Sequence, residues 1–225
     1  MPRVIAISGA FGALGRAVCA AAKAAGYRVA ALDIAPAPPG PDADLVLGGV
    51  DLSESDHAAN AVSRIIAALG GLDVVINIAG GFSWSKIGED DPAEWTRLHR
   101  LNLLTAVNLS RAALPALRAS GAGRIINVGA LGAMKADAGM GPYAASKSGV
   151  HRFTEALATE LKDAGVTVNA VLPSIIDTPV NRKDMPDAVF TRWVQPSELA
   201  AVMLFLASPD AGAVTGALIP VPGRV

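Results

Sequence analysis

Short apolar runs rich in valine and isoleucine alternate with longer helical patterns along this 225-residue chain. Seven of these runs are predicted as strands: RVIAIS, RVAALD, LVLGGV, LDVVINIAG, GRIINVGA, VTVNAVLP and ALIPVPG. The fourth run has no polar alternation before Asn77, which is typical of a strand that is buried on both faces. Strands that alternate with helices predict an α/β fold, in which a doubly wound parallel sheet is covered by helices on both faces. We expect residues 1–225 to form a single domain.

Composition excludes several classes of function. Hydrophobic residues make up 52% of the chain and charged residues 17%, which predicts a large buried core, and the net charge of -1 gives no electrostatic argument for binding nucleic acid or a membrane. Cys19 is the single cysteine, which excludes an intrachain disulfide and fits a reducing compartment. The three histidines lack metal-ligand spacing. We therefore expect no metal site. Because no stretch has the pattern of a signal peptide or a membrane span, we expect a soluble, cytoplasmic protein.

A glycine-rich turn, SGAFGALG, follows the first predicted strand and opens the first helix. Gly9, Gly12 and Gly15 allow the backbone to approach a pyrophosphate closely, and Ala13 and Leu14 begin a helix whose amides point at the anion. The alternative is that these glycines serve only tight packing. The strand, turn and helix occur in the order that a dinucleotide-binding, Rossmann-type fold requires.

Asp33 ends the second strand, where an acidic side chain accepts hydrogen bonds from the adenosine ribose. Its charge would repel a 2′-phosphate, so we expect NAD(H) to be favoured, while Arg16 keeps NADP(H) possible. The alternative is that Asp33 only begins the proline-rich loop after that strand.

Polar and small residues also follow the third and fourth strands, at the sheet edge where open α/β folds bind ligands. Asp51, followed by Leu52, is placed to accept a hydrogen bond from the adenine amino group. Asn77 is expected to buttress the glycine-rich turn, and Ala79 and Gly80 leave room for the ribose. We predict that all five residues belong to the cofactor site.

Tyr143 and Lys147 lie four residues apart in a predicted helix, which puts a phenol and an ammonium on one face. The cation is expected to lower the pKa of the phenol and to make it a useful acid and base near neutral pH. The alternative is a solvated helix face. The stretch between Gly121 and Pro142 contains no serine or threonine.

Taken together, the motifs SGAFGALG, NIAG, YAASK, VNAVLP and TGALIPVPG resemble the short-chain dehydrogenase/reductase family over almost the whole chain. The resemblance implies that Tyr143 donates and accepts the proton, that Lys147 holds the nicotinamide ribose, and that Asn102 supports a proton-relay water. It also implies that Pro173 and Ile176 contact the cofactor. The helices that pair in this family imply a homodimer or a homotetramer.

The catalytic serine of the family falls on Ala130 in this chain. The loss of that hydroxyl is expected to slow carbonyl reduction by a factor of about a hundred or more. Within the family, dihydropteridine reductases are similar in this respect and in the segment from Asp177 to Trp193. That similarity implies hydride transfer from NADH to a quinonoid dihydropterin or a similar activated ring.

The predicted substrate side comprises Ala130 and four further residues, Phe82, Trp84, Asn181 and Trp193. The aromatic rings would form walls for a planar substrate, or Trp193 would simply anchor its loop. Two other functions stay open: a general carbonyl or alcohol dehydrogenase such as a 3-oxoacyl reductase, and a non-catalytic nucleotide-binding relative. The small-molecule substrate itself is not predicted.

Overall fold

The computed structural model describes residues 2–40 and 42–225, and within them all seven predicted strands form one parallel sheet in the order β3-β2-β1-β4-β5-β6-β7. The strands are β1 (Val4–Ser8), β2 (Arg28–Leu32), β3 (Leu45–Leu47), β4 (Val74–Asn77), β5 (Arg124–Val128), β6 (Thr167–Pro173) and β7 (Leu218–Val221). The predicted doubly wound sheet is therefore confirmed.

The order of the strands determines where a ligand can enter. From β1 the chain moves outward to β2 and β3, and it then returns to the other side of β1 with β4. The loops that leave β1 and β4 therefore diverge, and a crevice opens at the carboxyl ends of these two strands. The glycine-rich turn that begins at Gly9 directly follows β1 and lies at this crevice.

Helices cover both faces of the sheet. They are α1 (Ala13–Ala24), α2 (Ser55–Leu69), α3 (Pro92–His99), α4 (Thr105–Ala119), α5 (Gly141–Leu161), α6 (Pro179–Asp184) and α7 (Pro196–Ala207). On one face α1 and α7 bury aliphatic side chains such as Val18 and Met203, and on the other α2, α4 and α5 bury Ile65, Leu109 and Leu161. Aliphatic burial on both faces is the expected main stabilising term of such a sheet.

The sequence predicts one long helix over residues 91–121, in which Pro115 causes a kink or marks the final turns. The structure differs in one respect, since a single π-helical turn over Arg100–Leu104 separates α3 from α4, while Pro115 lies in the final turns of α4, which ends at Ala119. The side chain of Thr105 donates to the carbonyl oxygen of Leu101 at 2.8 Å, which satisfies a carbonyl in the widened turn. Such turns are frequent at functional sites, and this one carries Asn102.

Within the part of the chain that the structure describes, no helix is both long enough and apolar enough to cross a membrane.

Candidate active site

Two glycines of the turn after β1 occupy positions that no other residue fits. Gly9 has a φ of +63°, and a Cβ there would lie 2.8 Å from the backbone nitrogen of Ala79. A Cβ on Gly15 would lie 2.2 Å from the carbonyl oxygen of Gly9. The first turn of α1 can approach β1 this closely only because both side chains are missing.

The third glycine of the motif is not constrained in this way. A Cβ on Gly12 would meet its nearest neighbour at 3.5 Å, and Gly12 is the N-cap residue of α1 without a side-chain hydrogen bond. Ala13 begins the helix in an exposed position, and Leu14 is buried. No capping side chain therefore competes for the first amides of α1, and the turn fits a pyrophosphate.

The carboxylate of Asp33 lies beside the same turn. One oxygen accepts a hydrogen bond from the backbone N–H of Phe11 at 2.9 Å, and the other accepts from Ala35 at 3.0 Å. The Arg16 side chain donates to the carbonyl oxygen of Phe11 at 2.8 Å. Each carboxylate oxygen keeps a second lone pair. The position therefore fits the ribose hydroxyls of a dinucleotide, with a negative and a positive side chain on either side of the Phe11 peptide.

The buttress of the turn is Ser8, which sequence reasoning missed. Its buried hydroxyl oxygen accepts from the backbone N–H groups of Ile78 and Ala79 at 3.0 and 3.1 Å, so it joins the ends of β1 and β4. The expectation that Asn77 has this role is wrong. Its side-chain amide donates to Ser110 and Asn127 at 3.0 and 2.8 Å, because Asn77 still lies within β4 and points into the core. A buried serine immediately before the first glycine was the available signal.

Asp51 and Leu52 shape the loop after β3. One oxygen of Asp51 accepts from the backbone N–H of Ser53 at 2.9 Å, which is an Asx turn. Leu52 is buried, and its carbonyl oxygen accepts from the side chain of Asn108 at 3.0 Å. These contacts fix the loop at the carboxyl edge of the sheet, and the contact of Asp51 with an adenine stays a prediction.

Tyr143 and Lys147 lie on the first turns of α5, beside the end of β5. Lys147 is buried, its ammonium donates to the carbonyl oxygen of Val128 at 2.7 Å, and burial lowers its pKa to about 8. Burial raises the pKa of Tyr143 to about 12. The expected lowering of the phenol pKa by the lysine is therefore not found, because desolvation outweighs the attraction of the cation. A phenol with this pKa is protonated at neutral pH and can donate a proton.

Asn102 holds two parts of the site together through its side chain. Its oxygen accepts from the backbone N–H of Gly81 at 2.8 Å, and its nitrogen donates to the Gly81 carbonyl and to the Ser146 hydroxyl at 3.0 and 2.9 Å. The Ser146 hydroxyl in turn donates to the carbonyl oxygen of Tyr143 at 2.7 Å. The loop after β4 is thereby tied to the helix that carries the phenol, a link that sequence reasoning missed for Ser146.

Gly80 lies between the predicted catalytic side chains. A Cβ at this position would be 2.6 Å from the side-chain oxygen of Asn102 and 3.3 Å from the nitrogen of Lys147. The structure therefore brings Gly80, Asn102 and Lys147 together as the sequence predicts, although they are far apart along the chain.

Ala130 is buried next to the end of β5, and its backbone N–H donates to the imidazole of His151 at 3.3 Å. His151 lies one turn beyond Lys147 on α5, and burial, with the nearby charges of Arg152 and Lys147, lowers its pKa to about 4. A Cβ on Gly129 would lie 2.6 Å from the same imidazole nitrogen. His151 thus takes part in shaping the wall where the family serine is missing.

The predicted substrate residues separate into two groups. Phe82 and Trp84 are exposed beside the site, and the rings of Phe82 and Tyr143 meet edge to face with centroids 4.9 Å apart. Trp193 is buried with 5% exposure and packs on Phe190, with centroids also 4.9 Å apart. Asn181 donates to a backbone carbonyl of its own loop at 2.8 Å. The structure therefore favours an anchoring role for Trp193 and Asn181.

The loop after β6 is held by its own contacts. Pro173 ends β6, and Ile176 forms a bridge with Val194. Arg182 makes two hydrogen bonds to the carboxylate of Asp177 at 2.5 and 2.7 Å. These contacts position the loop near the crevice without showing that Pro173 or Ile176 touches a cofactor.

Comparisons with known proteins agree with this arrangement. The short chain dehydrogenase family matches residues 3–188. The chain is 31% identical to the acetoacetyl-CoA reductase of Shinella zoogloeoides over 99% of its own length and 98% of that protein. It is 36% identical to the 3-oxoacyl-[acyl-carrier-protein] reductase of Pseudomonas aeruginosa over 77% of the chain and 74% of that protein.

A solved structure is also similar. The ligand-free aldohexose dehydrogenase of Thermoplasma acidophilum superposes with a TM-score of 0.90 at 26% identity, over 99% of this chain and 93% of that one. By their names these relatives are two reductases and a dehydrogenase, and they do not support the predicted similarity to dihydropteridine reductases.

Proposed function

Because the chain belongs to the short-chain dehydrogenase/reductase family and is an NAD(P)-dependent oxidoreductase, we propose that it reduces a carbonyl group of a small molecule to an alcohol, with Tyr143 as the proton donor. The observation that carries the proposal is the placement of the Tyr143 phenol and the buried Lys147 ammonium on one face of α5, at the end of β5 and beside Gly80.

The residues have distinct roles in this proposal. A reduced nicotinamide cofactor bound at the glycine-rich turn would supply the hydride for the carbonyl carbon. The Tyr143 phenol donates its proton to the carbonyl oxygen, so that the carbonyl group becomes an alcohol. The pKa of about 12 keeps Tyr143 protonated before the reaction. Lys147 stabilises the phenolate that remains, because an ammonium nearby favours the charged form of the phenol. Asn102 positions α5 through Ser146.

The cofactor is proposed to be NAD(H) in preference to NADP(H). The Asp33 carboxylate next to Phe11 would accept from ribose hydroxyls and would repel a 2′-phosphate. Gly9 and Gly15 supply the close approach that a pyrophosphate needs. Arg16 is an argument for NADP(H), since its positively charged side chain donates to the carbonyl oxygen of Phe11 close to Asp33. Titration of the protein with NADH and with NADPH measures the preference directly.

A second candidate function is the reduction of a quinonoid dihydropterin. It is favoured by Ala130, which gives no hydroxyl to a developing oxyanion, because an activated ring that gains aromatic character needs little such help. The relatives that act on 3-oxoacyl compounds support the carbonyl reaction more strongly. A non-catalytic role is the least supported, because Tyr143, Lys147 and Asn102 are all present and assembled.

The setting of this activity is proposed to be the cytoplasm, in a homodimer or a homotetramer. The buried thiol of Cys19 suits a reducing compartment. The assembly is proposed by similarity to the family, and light scattering of the purified protein distinguishes the two states.

The experiment follows the loss of NADH with a ketone, with acetoacetyl-CoA and with a quinonoid dihydropterin as acceptors. Tyr143→Phe is expected to lower kcat by about 10²–10⁴-fold, the usual contribution of a general acid, with unchanged NADH affinity. Tyr27→Phe is the matched control, since the other tyrosine of the chain lies outside the site and its hydroxyl meets only the Ala207 carbonyl. Lys147→Met is expected to weaken both turnover and NADH affinity.

The pH dependence gives a further check. Above a pH of about 8 Lys147 loses its charge, so we expect turnover to fall as the pH rises through this value. Turnover of the pterin alone would replace the carbonyl function by the second candidate. Tight NADH binding without turnover of any acceptor would favour the non-catalytic role.

A further inference from the structure

An exposed apolar rim surrounds Tyr143 and is not explained by packing. It is formed by two loops, residues 81–91 and 131–141, together with the first helical turns after them. Its exposed members are Phe82 (57%), Trp84 (56%), Ile87 (70%), Met134 (60%) and Trp95 (38%). Contiguous exposed apolar side chains of this size are uncommon on a folded surface and mark a binding site.

Trp84 is exposed and yet held in place. Its indole N–H donates to the carbonyl oxygen of Ala138 at 2.9 Å, and the backbone N–H of the next residue, Ser85, donates to the carbonyl oxygen of Gly139 at 2.9 Å. Gly139 has a φ of +80°, and a Cβ there would lie 2.1 Å from the indole ring. The ring therefore rests directly on the Gly139 backbone. A fixed aromatic surface binds a ligand with little loss of side-chain entropy.

The rim is continuous with the reacting group. Phe82 packs edge to face on the Tyr143 ring. Ile87 and Trp95 lie around Gly141, where a Cβ would meet them at 3.4 and 3.5 Å, and Gly141 is two residues before the phenol. A substrate whose carbonyl oxygen approaches Tyr143 would thus place the rest of its body against these side chains.

The charges of the rim oppose an anionic substrate. The two loops contain four carboxylates, Glu89, Asp90, Asp91 and Asp137, and two lysines, Lys86 and Lys135. Lys86 lies 3.5 Å from Glu89, so these two charges offset each other, and the other carboxylates, Asp90, Asp91 and Asp137, outnumber Lys135. A carrier with several phosphates would meet a rim of excess negative charge, and repulsion of this kind selects against a ligand.

We propose that this rim selects an uncharged carbonyl compound with an apolar or aromatic substituent, and that it discriminates against thioesters of polyanionic carriers such as coenzyme A. The inference rests on the proposed carbonyl reduction, and it differs from what the names of the reductase relatives would suggest for this chain. Trp84 is the main contact for the substituent, and Phe82 orients it toward Tyr143.

Four acceptors test the proposal in two matched pairs. Ethyl benzoylacetate and ethyl acetoacetate differ in a phenyl against a methyl group. Acetoacetyl-N-acetylcysteamine carries the same acetoacetyl thioester as acetoacetyl-CoA but lacks the rest of the carrier with its phosphates. We expect kcat/KM to be about tenfold or more higher for the first member of each pair, because of apolar contact in the first pair and because of charge repulsion in the second. Trp84→Ala should abolish the phenyl preference through KM, and Trp84→Phe should retain most of it.

Two further variants test whether the location of the aromatic ring and the charge of the rim determine the preference. Phe205→Ala removes an equally exposed aromatic ring from α7 and should leave both ratios unchanged. Asp137→Lys should raise kcat/KM for acetoacetyl-CoA by several-fold without changing that for the neutral thioester.

Equal or greater activity with acetoacetyl-CoA than with the neutral thioester would overturn the proposal. So would an equal effect of Trp84→Ala on both β-keto esters. If no acceptor were reduced, the proposed function would fail, and binding of ethyl benzoylacetate would then be measured by calorimetric titration in the presence of NADH. Binding that is weakened in Trp84→Ala and retained in Trp84→Phe would support recognition at the rim, and equal binding to both variants and the unchanged protein would overturn it.

Discussion

The proposed cofactor half and the proposed substrate half of the site are built from different parts of the chain. The cofactor half consists of backbone held at close range, since Gly9 and Gly15 leave no space for a Cβ and the Ser8 hydroxyl joins two strand ends. The substrate half consists of exposed side chains, such as Phe82 and Trp84, on loops of the chain. At Gly9 and Gly15 the cofactor half has no space for a larger residue, whereas the exposed side chains of the substrate half can be replaced without loss of the fold.

The largest effect is expected from the shape of the cofactor half. Gly15→Ala puts a methyl group 2.2 Å from the Gly9 carbonyl oxygen, so the turn must move away from the position that a pyrophosphate needs. We expect NADH affinity to fall by about a hundredfold or more, equivalent to roughly 2.7 kcal/mol, as measured by calorimetric titration.

Gly12→Ala is the matched control for this change. A Cβ at Gly12 would meet its nearest neighbour only at 3.5 Å, and its φ of −74° is open to any residue. Its affinity for NADH should therefore stay within a few-fold of that of the unchanged protein. Equal losses in the two variants would show that the glycines act through chain flexibility instead of space.

Two tryptophans sharpen the comparison from the substrate half. Trp193 is 5% exposed and packs on Phe190, so Trp193→Ala should lower the free energy of unfolding by about 3–5 kcal/mol, as for other buried large-to-small changes. Trp84→Ala removes an exposed ring and should cost less than about 1 kcal/mol. Urea denaturation of both variants measures the difference. A stable Trp193→Ala protein with lost activity would restore Trp193 as a substrate wall.

Ala130 gives the next smaller effect. Ala130→Ser adds a hydroxyl at the position where the family has its catalytic serine, at a buried residue beside His151. If the site reduces simple ketones, we expect kcat to rise by up to about a hundredfold, the usual contribution of one oxyanion donor. A quinonoid pterin should be reduced at an unchanged rate. Initial rates with both acceptors decide the matter, and a loss of ketone activity would mean that the added group blocks the substrate.

The cofactor half could be predicted from sequence because its requirements are local. A strand, the close-packed Gly9 and Gly15 of its turn, and Asp33 directly after the next strand occur in a fixed order, and each is visible within a short stretch of chain. The π turn at Asn102 was not predictable, because the residues from Arg100 to Leu104 have ordinary helical character. The pKa of Tyr143 also differed from the prediction, since it depends on burial by distant segments and not on the spacing to Lys147.

The substrate half was predicted only in part for the same reason. Phe82 and Trp84 were recognised as aromatic residues near a strand end, and their contacts with Tyr143 and Gly139 come from folding. Trp193 looked identical in sequence terms, yet the structure buries it. Residue type can suggest a wall for a substrate, but only the tertiary packing decides which ring faces the site.

The smallest expected effect concerns His151, a buried residue of α5. Its imidazole accepts from the Ala130 N–H and lies against Gly129, and these two uncharged residues directly follow β5. Besides burial, the charges of Arg152 and Lys147 on the same helix contribute to the lowered pKa of His151. Because burial lowers its pKa from 6.5 to about 4, the unfolded chain binds a proton more readily than the folded one between these values.

The contribution of neutral His151 to stability is therefore complete above pH 6.5 and is lost as the pH falls toward 4. His151→Gln keeps a hydrogen-bond acceptor for Ala130 but does not titrate. Between pH 6.5 and pH 4 the free energy of unfolding of the variant should therefore fall less than that of the unchanged protein, by on the order of 1–2 kcal/mol, as measured by urea denaturation at each pH. Above pH 7 the two proteins should have the same pH slope. Parallel acid sensitivity in both would mean that carboxylates dominate the loss, and that the imidazole is exposed enough to be protonated in the folded protein.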